Sequence, residues 1–128
     1  MASGRTFSGA SGSALGGYRV PVTSTANYTV SSAGAAVTLS FATVDAYSYV
    51  PGILQCGYDA APASGSSVYI TDYAGTTTYW AMPLTAAGPA EFNLADMKLP
   101  TGKGIKASME AGGGSILAYL SIRPFLEA

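Results

Sequence analysis

The chain has no histidine and a single cysteine, Cys56, and only 10% of its 128 residues are charged. Each shortage excludes something. Without histidine, a Ser-His-Asp or Cys-His nucleophile cannot be assembled. A Ser-x-x-Lys dyad is also absent, because Ala95, Pro100 and Lys103 stand three residues before Lys98, Lys103 and Lys106. One cysteine excludes an intrachain disulfide, and zinc lacks its usual ligands. Six Lys and Arg against seven Asp and Glu create no field that would gather nucleic acid. No apolar run approaches the roughly 20 residues that span a bilayer. The N-terminus lacks the apolar core of a secretory signal, so synthesis in the cytoplasm is expected.

The remaining acids and turns offer little chemistry. Asp45, Asp59, Asp72 and Asp96 stand singly, without the D-x-D spacing of a calcium loop. Each reads as a turn residue bonding its own backbone. Asp72 and Glu91 are a conceivable glycosidase pair, but nothing in the spacing brings them together. Thr101-Gly102-Lys103-Gly104 lacks the spacing of a phosphate loop and reads as a β-turn. No cofactor and no metal is expected, and the chain does not read as an enzyme.

What is present is Gly, Ala, Ser, Thr and branched aliphatics, with nine Tyr. Residues 1–17, MASGRTFSGASGSALGG, cannot offset their own ordering entropy and read as a flexible segment, either a disordered tail or an arm that orders on a partner. Arg5 and Phe7 are its candidate anchors on a partner. Residues 18–128 read as one domain. Val37, Leu39 and Phe41 alternate with polar residues, as do Ile105, Ala107 and Met109, and then Ile116, Ala118, Leu120 and Ile122. Val68 and Ile70 point inward on another run. Pro51-Gly52 interrupts residues 47–58 and predicts a bulge or a crossing between sheets. Ala74-Gly75 and Gly112-Gly113-Gly114 read as hairpin turns, and one helical turn fits near Leu94 to Met97. About eight or nine strands, with turn signals every 8 to 12 residues, predict an all-β sandwich or barrel.

The aromatics are the positive signal. Tyr47, Tyr49, Tyr69, Tyr73, Tyr79, Trp80 and Tyr119 lie in or beside strands, and alternation turns Tyr69 and Tyr119 away from the core. They fit a sheet surface with good cross-strand pairs, a subunit interface or a sugar-stacking platform. Interfaces are poor in charge and rich in aromatics, as this chain is. Sugar stacking is the weakest of the three readings, since Trp80 is the only Trp.

The succession VPGIL, VYITDYAG, TYWAMPLTAAGPAEF and KLPTGKGIKASMEAGGGSILAYLSIRP, between Ser48 and Arg123, resembles small β-sandwich virion structural proteins of tailed bacteriophages. The first 47 residues carry no such likeness. The resemblance implies a single antiparallel sandwich, jelly-roll-like, and no catalytic residues. It implies a homo-oligomer, a trimer, placed on the virion as a decoration or cement protein against the major capsid protein. The arm would order on a neighbour. The alternative is a tail or fibre domain that binds host glycan through a solvent-facing cluster of Trp80, Tyr79 and Tyr73.

Overall fold

The computed structural model describes residues 19–22, 27–63 and 66–128. The expected arm, with Arg5 and Phe7, lies outside the described residues. Nine strands form: β1 (Arg19–Pro21), β2 (Tyr28–Val30), β3 (Val37–Phe41), β4 (Ser48–Tyr58), β5 (Ser67–Asp72), β6 (Thr78–Pro83), β7 (Gly88–Leu94), β8 (Ile105–Met109) and β9 (Ala118–Glu127). All pairings are antiparallel. No helix occurs among the described residues. Near Leu94 there is one turn, in which the Met97 N–H donates to the Leu94 carbonyl at 3.1 Å.

Sheet A runs β1-β9-β4-β7, with β2 also on β9, and sheet B runs β3-β8-β5-β6. β1 pairs with Phe125 to Glu127 and β2 with Tyr119 to Ser121, so the two short strands lie end to end along β9. Counted as one interrupted strand, they leave eight positions in two four-stranded sheets. From β2 to β5 the chain changes sheet at every step. It then makes the β5–β6 hairpin and changes sheet again at β7, β8 and β9. This is the jelly-roll order, two Greek keys folded face to face. The Ala74-Gly75 hairpin forms as expected, whereas Gly112-Gly113-Gly114 carries the chain from sheet B to sheet A and is not a hairpin. β8 and β9 are each locally consistent with a hairpin, but β9 is drawn to β4 by a longer ladder.

The core lies where the two inner faces meet. Val68, Ile70, Ile105, Ala107, Leu54, Tyr58, Leu120 and Ile122 are all fully buried. Complete burial of one such aliphatic side chain stabilises by about 1.5–3 kcal/mol. Two tyrosines enter the core and bond their hydroxyls to backbone. Tyr58 donates to the Glu110 carbonyl at 2.6 Å and Tyr49 to the Ala42 carbonyl at 2.6 Å. On the β6–β7 side, Trp80 and Phe92 close the sandwich with an edge contact, their rings 5.1 Å apart.

The expected interruption at Pro51-Gly52 is a bulge. Gly52 and Ile53 both face Arg123 on β9. β4 and β9 are interior strands, where proline costs a ladder bond. Pro51 and Pro124 flank this irregularity, where the ladder is already broken. The bulge also inverts the facing of β4. Beyond it Leu54, Cys56 and Tyr58 point into the core, and before it Tyr49 does.

Near Ser48, the end of β4 is covered by the chain after β7, through Leu99 N–H to the Tyr49 carbonyl (2.9 Å) and Gly102 N–H to the Tyr47 carbonyl (2.8 Å). The neighbouring Glu127 is 5% exposed and accepts from Arg19 Nε at 2.7 Å, and Lys98 Nζ lies 3.2 Å away. Burial alone would raise the Glu127 pKa. The two cations outweigh it and hold the carboxyl below its ordinary value. The stabilisation is therefore complete above the unfolded-state carboxylate range and is lost as pH falls through the depressed folded value. Glu127→Gln is expected to lower the denaturation midpoint at pH 7. The gap to the wild type should close as the buffer is taken below pH ~4, which a pH series of urea melts checks.

Candidate functional surfaces

Among the described residues, no three of His, Cys, Asp and Glu come together as a metal site would require. Of the acids considered from sequence, Asp59, Asp72 and Glu91 bond structural partners, and only Asp72 bonds its own turn. Burial pushes the Cys56 thiol up to about 11, so little reactive thiolate forms at neutral pH. Asp72 caps the β5–β6 turn. Its carboxylate accepts from the Thr76 N–H (2.8 Å), the Thr77 N–H (3.2 Å) and the Thr76 hydroxyl (2.9 Å). These bonds, the Thr77 N–H foremost, hold its pKa below the usual value. Asp59 accepts from the Leu117 N–H at 2.8 Å and pins the start of β9. Glu91 is on β7 of sheet A, and Asp72 ends β5 of sheet B. Thr101-Gly102-Lys103-Gly104 is a turn, with Gly102 at φ 76°.

The aromatic set is divided by the fold. Tyr69 stands between Val68 and Ile70, both fully buried, and faces outward from sheet B as expected. Tyr119 faces outward from sheet A between the buried Ala118 and Leu120. Tyr73 is 49% exposed in the β5–β6 turn. Tyr79 and Trp80 are half-buried and pack against the core. Strict alternation forbids neighbours from doing this together. A register shift allows it: Ile70 pairs with Trp80 and Thr71 with Thr78, which leaves Tyr79 as the extra residue. The solvent-facing cluster of Trp80, Tyr79 and Tyr73 expected for glycan binding therefore does not form.

Two outward surfaces remain. On sheet B, Thr38 and Ser40 lie beside Lys106 and Ser108, then Tyr69 and the buried Thr71, with Ala81 beside Tyr69. The border of this face is β6, whose outer side has no strand partner among the described residues. Thr78–Pro83 carries no charge, and Met82 is 36% exposed. Native edges are ordinarily protected by charge, by shortness or by a cover.

On sheet A, the register sets Tyr28, Ser121, Gln55 and Glu91 side by side across four strands. The adjoining row is Val30, Tyr119, Gly57 and Pro89. Tyr28 is 59% exposed and Val30 42%. Tyr28, Gln55, Tyr119 and Ser121, with the strand segments at Cys56 and Leu120, line a shallow depression of about 270 Å³. Gln55 Nε2 donates to Glu91 Oε1 at 2.8 Å, which fixes both side chains on the rim. Sequence reasoning missed Tyr28 and Gln55. Asn27 to Ser31 reads as a strand, but the pairing that brings it beside Ser121 joins segments more than 90 residues apart, and no local signal encodes that.

No family model matches the chain, and no curated protein matches it. Solved structures with a similar course include a carbohydrate-binding module, CBM36, in complex with calcium and xylotriose. It is 13% identical, over 84% of this chain and 98% of that one, with a TM-score of 0.43. A CBM4 structure is 14% identical over 78% of this chain and 71% of that one, with a TM-score of 0.44. A chain of the capsid asymmetric unit of cyanophage Pam1 is 9% identical over 94% of this chain and 92% of that one, with a TM-score of 0.44. No site residue is carried over from any of them.

Proposed function

We propose that the protein is a non-enzymatic virion structural protein, a capsid decoration or cement protein that self-associates, as a trimer, and bridges subunits of the major capsid protein. The observation that carries this reading is the uncharged strand β6, whose outer edge is unpaired among the described residues, with Met82 exposed on it and Tyr69 on the face beside it. An exposed apolar edge invites pairing with another chain, and a neighbouring subunit would cover it. The scarcity of charge fits a surface reserved for such neighbours. The phage-like succession from Ser48 to Arg123 supports the same reading. Each oligomer would hold the shell by several weak contacts that become strong when linked. The Gly/Ser-rich N-terminal segment would add one more.

The test is the mass of the purified protein in solution, followed by its binding to capsids stripped of it. An oligomer that binds such capsids is expected. Ala81→Lys, which sets a charge on the exposed face of β6, should dissociate the oligomer at least tenfold more readily while leaving the thermal midpoint within a few degrees. A stable monomer with no affinity for capsids would overturn the reading.

A further inference from the structure

We propose that the outer face of sheet A is a binding site for a neutral oligosaccharide chain, with Tyr28 and Tyr119 as its stacking walls, Gln55 and Ser121 as its polar lining and Glu91 beside Gln55 at its rim. This goes beyond the assembly reading and uses the opposite side of the sandwich. Four side chains in one cross-strand row, Tyr28, Ser121, Gln55 and Glu91, span three strand spacings, roughly 14 Å. Tyr119 is diagonal to Tyr28 across the β2–β9 pair, at roughly 7–8 Å for such neighbours. Two phenol rings therefore border one depression of about 270 Å³, near the lower end of small-ligand sites.

The floor chemistry selects the ligand. The Gln55–Glu91 bond of 2.8 Å uses one amide N–H and one carboxylate oxygen. It leaves the amide oxygen, the second N–H and the other carboxylate oxygen for a ligand. With the Ser121 hydroxyl, these supply donors and acceptors a few ångströms apart, which suits adjacent sugar hydroxyls. The carbon–hydrogen face of a pyranose would lie on an exposed phenol ring, an amphipathic surface that loses little entropy on binding.

Competing occupants fit less well. β9 and β4, which form the floor, are paired on both sides, so no main-chain groups are free to accept a peptide strand. The depression is too shallow for a helix. Glu91 and Arg123 place one charge of each sign on this face, so it does not select phosphate or a polyanion.

The experiment is affinity electrophoresis of the intact protein through gels containing xylan, β-glucan, mannan or galactan, with polygalacturonate as the charged control. Retardation by at least one neutral polysaccharide and none by polygalacturonate is expected. Tyr28→Ala and Tyr119→Ala should each weaken the retarding interaction about tenfold or more, and Gln55→Ala several-fold. Tyr73→Ala, on the other side of the molecule, should leave it unchanged. Thermal melts of each variant confirm that the fold is kept. No retardation by any neutral polysaccharide would overturn the proposal, as would retardation that persists in the Tyr28→Ala, Tyr119→Ala double variant. The readout is independent of assembly, so failure to bind capsids would leave this result standing.

Discussion

Gly52→Ala is expected to remove about 3–5 kcal/mol of folding stability, the sum of backbone strain and a steric clash. Gly52 lies at φ 72°, in the left-handed region where a Cβ is disfavoured. An added Cβ would also stand 2.5 Å from the Arg123 carbonyl oxygen and 3.2 Å from the Phe125 ring. That oxygen belongs to the strand backbone and cannot turn aside. The site is the bulge at which β4 changes its facing against β9, so relief there would displace Tyr49 or Leu54 from the core. The loss corresponds to a fall of roughly 10–20 °C in the thermal midpoint of a domain of this size. Gly102→Ala is the matched control. Gly102 is at φ 76° with nothing within 4 Å of an added Cβ, so only the conformational cost of about 1 kcal/mol applies. Equal midpoints for the two variants would show that the clash at Arg123 is not present in solution.

Tyr58→Ala is expected to cost about 3–5 kcal/mol, as large aromatic truncations in a closed core do. Tyr58 is fully buried, and its ring occupies the space beside Gly112, where even a methyl group would approach Tyr58 Cδ1 to 2.9 Å. It joins the last residues of β4 to the crossover that leads from β8 to β9. Tyr58→Phe keeps the ring and removes only the 2.6 Å bond to the Glu110 carbonyl. It should cost about 1–2 kcal/mol, the penalty of leaving one buried acceptor without its donor. Urea unfolding separates the two, with the midpoint falling at an unchanged slope in both cases. A Phe variant as damaged as the Ala variant would mean that the hydroxyl, and not ring packing, holds the crossover.

Much of the strand architecture was legible locally. The period-two runs at Val37 to Phe41, Ile105 to Met109 and Ala118 to Ile122 bury the residues that alternation assigns to the inside. Pro51-Gly52 marked either a bulge or a crossing, because proline lacks a ladder donor and glycine reaches positive φ readily, and the bulge is what forms. Asp72 declared its turn, since a short acid followed by Tyr-Ala-Gly-Thr-Thr can bond its own backbone. Tyr69 and Tyr119 were assignable to outer faces for the same reason of alternation.

The candidate surfaces were less legible. Tyr79 and Trp80 were expected at the surface, but a one-residue register shift in the β5–β6 hairpin lets both pack inward. That shift depends on the partner strand, and the same letters without it would alternate. Gly112 to Gly114 had the chemistry of a hairpin turn and serves as a crossover, because the destination of β9 is set by its long ladder with β4. Tyr28 acquired its place from β9, far along the chain.

The sequence by itself determined an all-β domain, the inside and outside of its regular strands, and the exclusion of histidine- and zinc-dependent chemistry, because side-chain type and period-two alternation are local properties. Only the tertiary structure decided which strands became neighbours. Those neighbours brought Tyr28, Ser121, Gln55 and Glu91 into one row, left the outer side of β6 unpaired among the described residues, and drew Trp80 onto Phe92. Register is a relation between distant segments, settled by burial of whole sheet faces, and no single segment contains it.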